Sequence, residues 1–329
     1  MTVPITPQHY GLTIEPDLEN FTFDGRMTLQ ATADQPTDTL DLDCRELAVW
    51  GCRIKPNDSG ADLSECPFTL DPAKERLRIH LPAPLSGPFE ITIDYTGKIN
   101  DKMAGFYRSR IKTDTAPDHI AVTQFQESDA RRAFPCLDHP AQKAVFTVEM
   151  VVDKTLTAIS NTDIQTITDL DKERHRVTFD PTPKMSTYLL FFGVGPFEIH
   201  TDAVDPRVRA VCLPGTGDQT TFGRTFGRKA LAYGEDYYAI DYPLTKMDLI
   251  AVPDFAFGAM ENWGAITFRE NLLLNVPGVT SREAEARICE VIAHEITHQW
   301  FGNLVTPEKW KYLWLNESLA TYFGYGMVD

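Results

Sequence analysis

The chain has 329 residues, enough for two domains that each bury a core of their own. Its 31 basic and 47 acidic residues leave a net charge of −16, which argues against nucleic acid and against anionic membrane surfaces as partners. A cationic group on a ligand is attracted by a field of that sign.

The start, MTVPITPQHYGLTIEP, has neither a basic n-region nor an apolar h-region, so no secretory signal is expected. No run of eighteen apolar residues occurs. The cysteines Cys44, Cys52, Cys66, Cys136, Cys212 and Cys289 form no C-x-x-C pair and are spaced too irregularly for zinc knuckles. They read as reduced thiols of a cytoplasmic protein, with a disulfide between two of Cys44, Cys52 and Cys66 as the alternative.

In chain order, residues 1 to about 200 read as β-rich. Alternating apolar positions recur at Tyr10-Leu12-Ile14, Phe21-Phe23, Met27-Leu29, Leu40-Leu42, Leu77-Ile79-Leu81 and Phe89-Ile91-Ile93. Further alternation runs from Val145 to Val152 and from Thr187 to Val194, with Pro, Gly, Asn and Asp turns between the segments. This predicts a large antiparallel sheet structure. One polar stretch, Gln124 to Pro140, breaks the alternation and has the character of a loop reaching toward a ligand. Within it, Arg131, Arg132 and Asp138 read as ion-paired residues that pin the loop.

The pattern switches near 200 to 206, which divides the chain into domains of 1–203 and 204–329. An extended piece at Val208 to Cys212 is followed by a helical stretch from about Asp218 to Ile240, with Phe222, Phe226, Leu231 and Tyr238 on its apolar face. Lys246 to Val252 and Ala265 to Phe268 return to strand. Between them, Gly258-Ala259-Met260-Glu261-Asn262 follows Pro253 and is expected at a bend where backbone can be closely approached.

A helix over about 281 to 300 is predicted from Thr280 and Glu283 as a capping box, Ile288, Ile292 and Ile296 at every fourth position, and Gly302 as its stop. It carries His294-Glu295-Ile296-Thr297-His298, an H-E-x-x-H word. Residues four apart lie on one helical face, so both imidazoles can address one metal ion. Glu317 follows after eighteen intervening residues, from a second helix expected at Asn316 to about Tyr325. Two histidines and a carboxylate suit a hydrolytic Zn²⁺, which takes three protein ligands and leaves a position for water, lowering the water's pKa to about 7. Glu295 is then placed to take and return a proton. Trp310, Leu313, Trp314 and Leu315 are expected to pack.

These motifs, together with Thr123 to Pro140 (TQFQESDARRAFPCLDHP) and PDFAFGAMENWGAITFRE, resemble the gluzincin aminopeptidases of family M1. The resemblance implies a mixed fold, β then α+β: a saddle-like, large antiparallel β-sheet domain followed by a thermolysin-like catalytic domain incomplete at its C-terminal end. It implies one Zn²⁺ per chain on His294, His298 and Glu317, with Glu295 as general base and acid. It also implies a peptide substrate lying along Gly258, Ala259, Met260, Glu261 and Asn262. Glu261 and Gln126 would hold the substrate's amino terminus and Gln124 would shape the first side-chain pocket.

The chain departs from the family pattern at Tyr312, where members often carry an acidic or polar residue, and at Ser318-Leu319, where they carry Gly-Phe. It also ends at Asp329, before the tyrosine that the resemblance places roughly sixty positions past the last zinc ligand to stabilise an oxyanion. A fragment or a truncated protein, with an incomplete active site, is therefore expected. Two other functions stand beside aminopeptidase activity: a catalytically silent zinc- or peptide-binding module, and epoxide hydrolysis, against which Ala259 weighs because that branch tends toward Gly-Gly-Met-Glu-Asn.

Overall fold

A computed structural model describes residues 5–56, 64–111 and 118–328. The first four residues, which open the amino-terminal stretch, and Asp329 lie outside these. The chain forms two compact units: Met1–Tyr107, Thr123–Lys154 and Ile164–Leu190 make the first, and Arg108–Val122, Thr155–Asp163 and Phe191–Asp329 the second. The chain thus passes between units several times, where the sequence pattern offers one switch at 203/204. Short segments such as Thr155–Asp163 pair with strands distant in sequence, and composition carries no mark of that pairing.

The first unit is built on a nine-stranded sheet. Its long members are β1 (Ile5–Asp17), β2 (Thr22–Asp43), β3 (Arg76–Lys98) and β4 (Val145–Asp153). β1 and β2 pair antiparallel, as do β2 and β3, while β1 and β4 run parallel. The apolar runs expected as separate strands between Phe21 and Leu42 fuse into β2, and those between Leu77 and Ile93 fuse into β3. The Asp-Gln-Pro and Pro-Ala-Pro interruptions fall where the β2–β3 register shifts, between Ala33 and Thr39. They act as bulges that bend a continuous ladder and do not end it. Tyr10, Phe134 and Phe146 form the aromatic centre of this core, with Tyr10 stacked on Phe146 at 5.1 Å. The strand expected from Thr187 is corrected: Thr187–Leu189 is a buried 3-10 turn, and extended structure begins only at Phe192. Thr187 instead spends its hydroxyl on the buried Asp138 carboxylate at 2.8 Å.

The second unit holds a five-stranded sheet. Its strands are β5 (Glu198–Thr201), β6 (Val208–Cys212), β7 (Met247–Val252), β8 (Ala259–Met260) and β9 (Ala265–Arg269), in spatial order β5-β6-β7-β9-β8. β6, β7 and β9 are parallel, and every residue of β7 is buried, as a central parallel strand covered on both faces requires. β5 and β8 close the two edges in antiparallel pairing.

Three helices complete the unit: α1 (Thr221–Tyr238), α2 (Arg282–His298) and α3 (Leu313–Val328). The buried stripe of α1 is Gly223, Gly227, Ala230, Leu231 and Gly234, which keeps Leu231 of the expected face and corrects Phe222 and Phe226, both half-buried. A Cβ on Gly227 would fall 2.8 Å from Leu249 and one on Gly223 2.8 Å from Leu273, so glycines let this helix approach closely and turn Phe222 and Phe226 aside.

α2 starts one residue later than expected. Ser281 is its N-cap, accepting a hydrogen bond from the Ala284 amide, while Thr280 accepts one from the Val276 amide in the preceding turn. α3 begins three residues before the expected start, and Trp314 and Leu315 are exposed, at 63% and 40%, where packing was expected. The face of α3 that meets α2 carries Ala320 and Gly324, both buried, and that rotation leaves the two large residues outside. All six cysteines are free. No helix among the described residues is long and apolar enough to cross a membrane.

Candidate metal centre

The pocket begins with the periodicity of α2. His294 and His298 are one turn apart, and their Nε2 atoms lie 3.0 Å from each other. α3 adds Glu317, whose Oε2 is 3.3 Å from His294 Nε2 and 3.7 Å from His298 Nε2. Around a tetrahedral ion with bonds of about 2 Å, neighbouring ligand atoms are about 3.3 Å apart. The three observed separations bracket that edge length, so the donor set fits a zinc ion without moving backbone.

Glu317 reaches α2 because of residues that follow it. Thr321 and Gly324, four and seven positions on, share its helical face. A Cβ on Gly324 would sit 3.1 Å from the backbone nitrogen of His294, so glycine there allows the two helices to touch. The Thr321 hydroxyl is 3.4 Å from His294 Nδ1. His298 is oriented from the other side: its Nδ1–H donates to the Phe301 carbonyl at 2.9 Å, which turns Nε2 toward Glu317. Gly302, with φ of +133°, permits this turn, since a Cβ would stand 3.2 Å from His298 Nδ1. It therefore shapes the histidine's seat, beyond the helix stop expected of it; α2 itself ends at His298. Thr321, Gly324 and the Phe301 carbonyl escaped sequence reasoning. The only available signal was the glycine two turns after Glu317.

Glu295 is buried beside the trio, and its Oε2 has no hydrogen-bond partner. Burial pushes its carboxyl well above the usual range, His298 opposes this, and the charges of Glu261 and Glu317 add to it. Glu261, also buried, presents an unpartnered Oε1. Burial again raises its carboxyl, against the pull of His298. Burial would depress the His298 imidazolium, but Glu261, Glu317 and Glu295 outweigh it and hold the ring up to about 10. Glu317 is likewise opposed by burial, yet its contacts with both imidazoles bring its carboxyl down. Three carboxylates thus compete for the few protons on two rings, a charge arrangement that a bound dication resolves.

The Gly258 to Asn262 segment lies at a sheet edge. Ala259 and Met260 form the edge strand β8, and the Gly258 carbonyl accepts from the Arg269 amide at 2.9 Å. The Asn262 side chain donates to Thr267 at 3.3 Å. The Glu261 carbonyl accepts from Asn303 Nδ2 at 2.8 Å, and the Asn303 amide donates to the His298 carbonyl at 3.1 Å. One asparagine therefore ties the edge strand to the end of α2 and brings Glu261, Glu295 and His298 to within 4.8 Å of one another by their ligand atoms. The structure places His294, His298, Glu317, Glu295 and Glu261 together. Gln124 and Gln126 belong to the first unit; Gln124 is fully buried with neither amide atom hydrogen-bonded, and Gln126 is half-buried.

Comparison with known proteins gives two family matches: a Peptidase M1 N-terminal domain over residues 6–189 and a Peptidase family M1 domain over residues 224–329. Among curated relatives, a puromycin-sensitive aminopeptidase of Caenorhabditis elegans is 39% identical over 98% of this chain and 34% of its own length. Aminopeptidase M1-A of Oryza sativa subsp. japonica is 40% identical over 98% of this chain and 37% of its own. The glutamyl aminopeptidase of Sus scrofa is 34% identical over 99% and 35%. The chain spans about a third of the length of the curated relatives it matches.

Proposed function

Because the chain belongs to peptidase family M1, we propose that it carries the metal-binding part of a zinc aminopeptidase, acting on peptides with a free amino terminus. The observation that supports this best is the convergence of His294, His298 and Glu317 at tetrahedral spacing, beside two buried carboxylates with unpartnered oxygens. A zinc ion held by those three residues would supply the Lewis acidity that activates water and polarises a carbonyl.

The chain's own residues divide the remaining work. Glu295, raised by burial, suits a base that takes a proton and holds it until a leaving amine needs it. Glu261 offers a desolvated carboxylate oxygen to a substrate ammonium, a charge-assisted hydrogen bond that a blocked or internal peptide cannot make. β8, as an edge strand, has backbone to which an extended peptide can add. Gln126 as a second holder of the amine, and Gln124 as a wall of the first side-chain pocket, rest on the family resemblance. Free, mostly buried thiols fit a reducing compartment, the cytoplasm.

The test uses the full-length gene product and an aminoacyl amide. Glu295→Gln is expected to keep one equivalent of zinc in this centre while losing at least about a hundredfold in kcat. Glu261→Ala is expected to raise KM for free-amine substrates and narrow the preference over amino-blocked ones. Undiminished hydrolysis by Glu295→Gln would overturn the assignment.

A further inference from the structure

A second convergence of metal-binding side chains lies on the β5–β6 hairpin. Glu198 stands opposite Cys212 across the ladder and His200 is two residues on, so all three project from one face. His200 Nε2 is 3.3 Å from a Glu198 carboxylate oxygen, and these two atoms and Cys212 Sγ all lie within 4.8 Å of one another. Nothing in the metal centre of α2 and α3 uses them.

The local sequence shapes this cluster. Gly217 lies against the imidazole: a Cβ there would fall 2.4 Å from His200 Nε2, so only glycine leaves the ring in place. Arg224 of α1 donates to the His200 carbonyl at 3.4 Å, holding the strand end against the helix. The Cys212 thiol is buried at the inner end, where burial and the Glu198 charge raise it, while the Thr216 hydroxyl and the Arg224 charge act the other way. The Glu198 and His200 side chains are partly exposed, at 44% and 36%, and can shift. Bringing three donors from within 4.8 Å of one another to the edges of a zinc tetrahedron, about 3.3–3.6 Å, needs movements of about 1 Å.

We propose that Glu198, His200 and Cys212 form a second binding site for a thiolate-seeking divalent cation of the zinc and cobalt class, with solvent as the fourth ligand. One thiolate and one carboxylate neutralise the dication, and the neutral imidazole completes a donor set that disfavours magnesium and calcium. The buried sulfur anchors the ion and the exposed pair gives it a path of entry. Bound there, the cation cross-links the edge strand β5 to its neighbour β6.

The experiment is a titration of the 329-residue chain with cobalt(II) chloride, followed by absorption. In a His294→Ala/His298→Ala background, which removes the first centre, one equivalent is expected to bind with a near-ultraviolet sulfur-to-cobalt charge-transfer band. Adding Cys212→Ser removes the band, Cys289→Ser leaves it, and His200→Ala weakens binding at least about tenfold. Absence of the band, or its survival in the Cys212→Ser chain, overturns the proposal. Should the double-alanine background fail to fold, zinc stoichiometry of the otherwise native chain decides. His200→Ala at its partly exposed position is expected to lower it from two to one, and an unchanged value rejects the site.

Discussion

Two charged clusters in this molecule are built from similar residues and differ in one respect. In the first unit, Arg131 reaches Asp138 at 3.0 Å, Glu75 at 3.2 Å and Asp43 at 3.4 Å, and Arg132 pairs with Asp129 and Glu46. Asp138, though buried, also accepts from Thr187 and from the Arg131 amide. In the second unit, Glu261 and Glu295 are as deeply buried, yet each keeps an oxygen without a partner. A buried charge that is fully paired supports the fold, and one left unpaired costs stability unless a ligand completes it. The difference separates a structural polar loop from a binding pocket, although both read as charged motifs in the sequence.

Metal provides the largest test of that contrast. Zinc at about a thousand times its dissociation constant is expected to stabilise the chain by about 4 kcal/mol in chemical denaturation. His298→Ala should lose most of that gain. If zinc leaves the unfolding midpoint unchanged, the pocket is not completed by a metal.

Replacing one carboxyl by its amide in each cluster should have unequal effects. Asp138→Asn is expected to destabilise by about 3 kcal/mol, because it strands Arg131 among fewer acceptors. Glu295→Gln in the metal-free chain is expected to change stability by less than about 1 kcal/mol, because burial already keeps that carboxyl protonated and an amide replaces a neutral group. Urea unfolding of the two variants at neutral pH checks this, and equal losses would erase the distinction.

The smallest effect calibrates the paired class near the surface. Arg207 joins Asp205 at 2.8 Å and Glu235 at 2.7 Å. The Arg207 hydrogen bond brings the Glu235 carboxyl below its ordinary 4.5. A folded-state value below the unfolded one gives stability that is present above about pH 4.5 and disappears as pH falls through the lowered value. Glu235→Gln should therefore cost about 1 kcal/mol at pH 7, reduced by solvent screening, and flatten the acid side of the stability profile.

Much of the second unit was legible from local pattern. The four-residue period that places His294 over His298 is a property of any α-helix, and the strands at 208–212 and 247–252 followed from runs of apolar residues. Other features were not legible because they depend on partners distant in the chain. The face of α1 was misjudged because glycines define it by what they let approach, and hydrophobicity gives them no weight. The long strands β2 and β3 looked like shorter ones because a proline marks a bulge and a turn alike until the opposing strand is known.

By itself the sequence determined which groups could do chemistry: two imidazoles one helical turn apart, an acid between them, and a β-rich half ahead of a helical one. Tertiary structure decided that Glu317 meets them, since Gly324 lets α3 touch α2 at His294. It also decided that Asn303 draws Glu261 to the same pocket and that the Phe301 carbonyl turns Nε2 of His298 toward Glu317. Residue type and local period are carried by neighbours within one or two turns, whereas the distance between two helices is set by whichever side chains happen to lie between them.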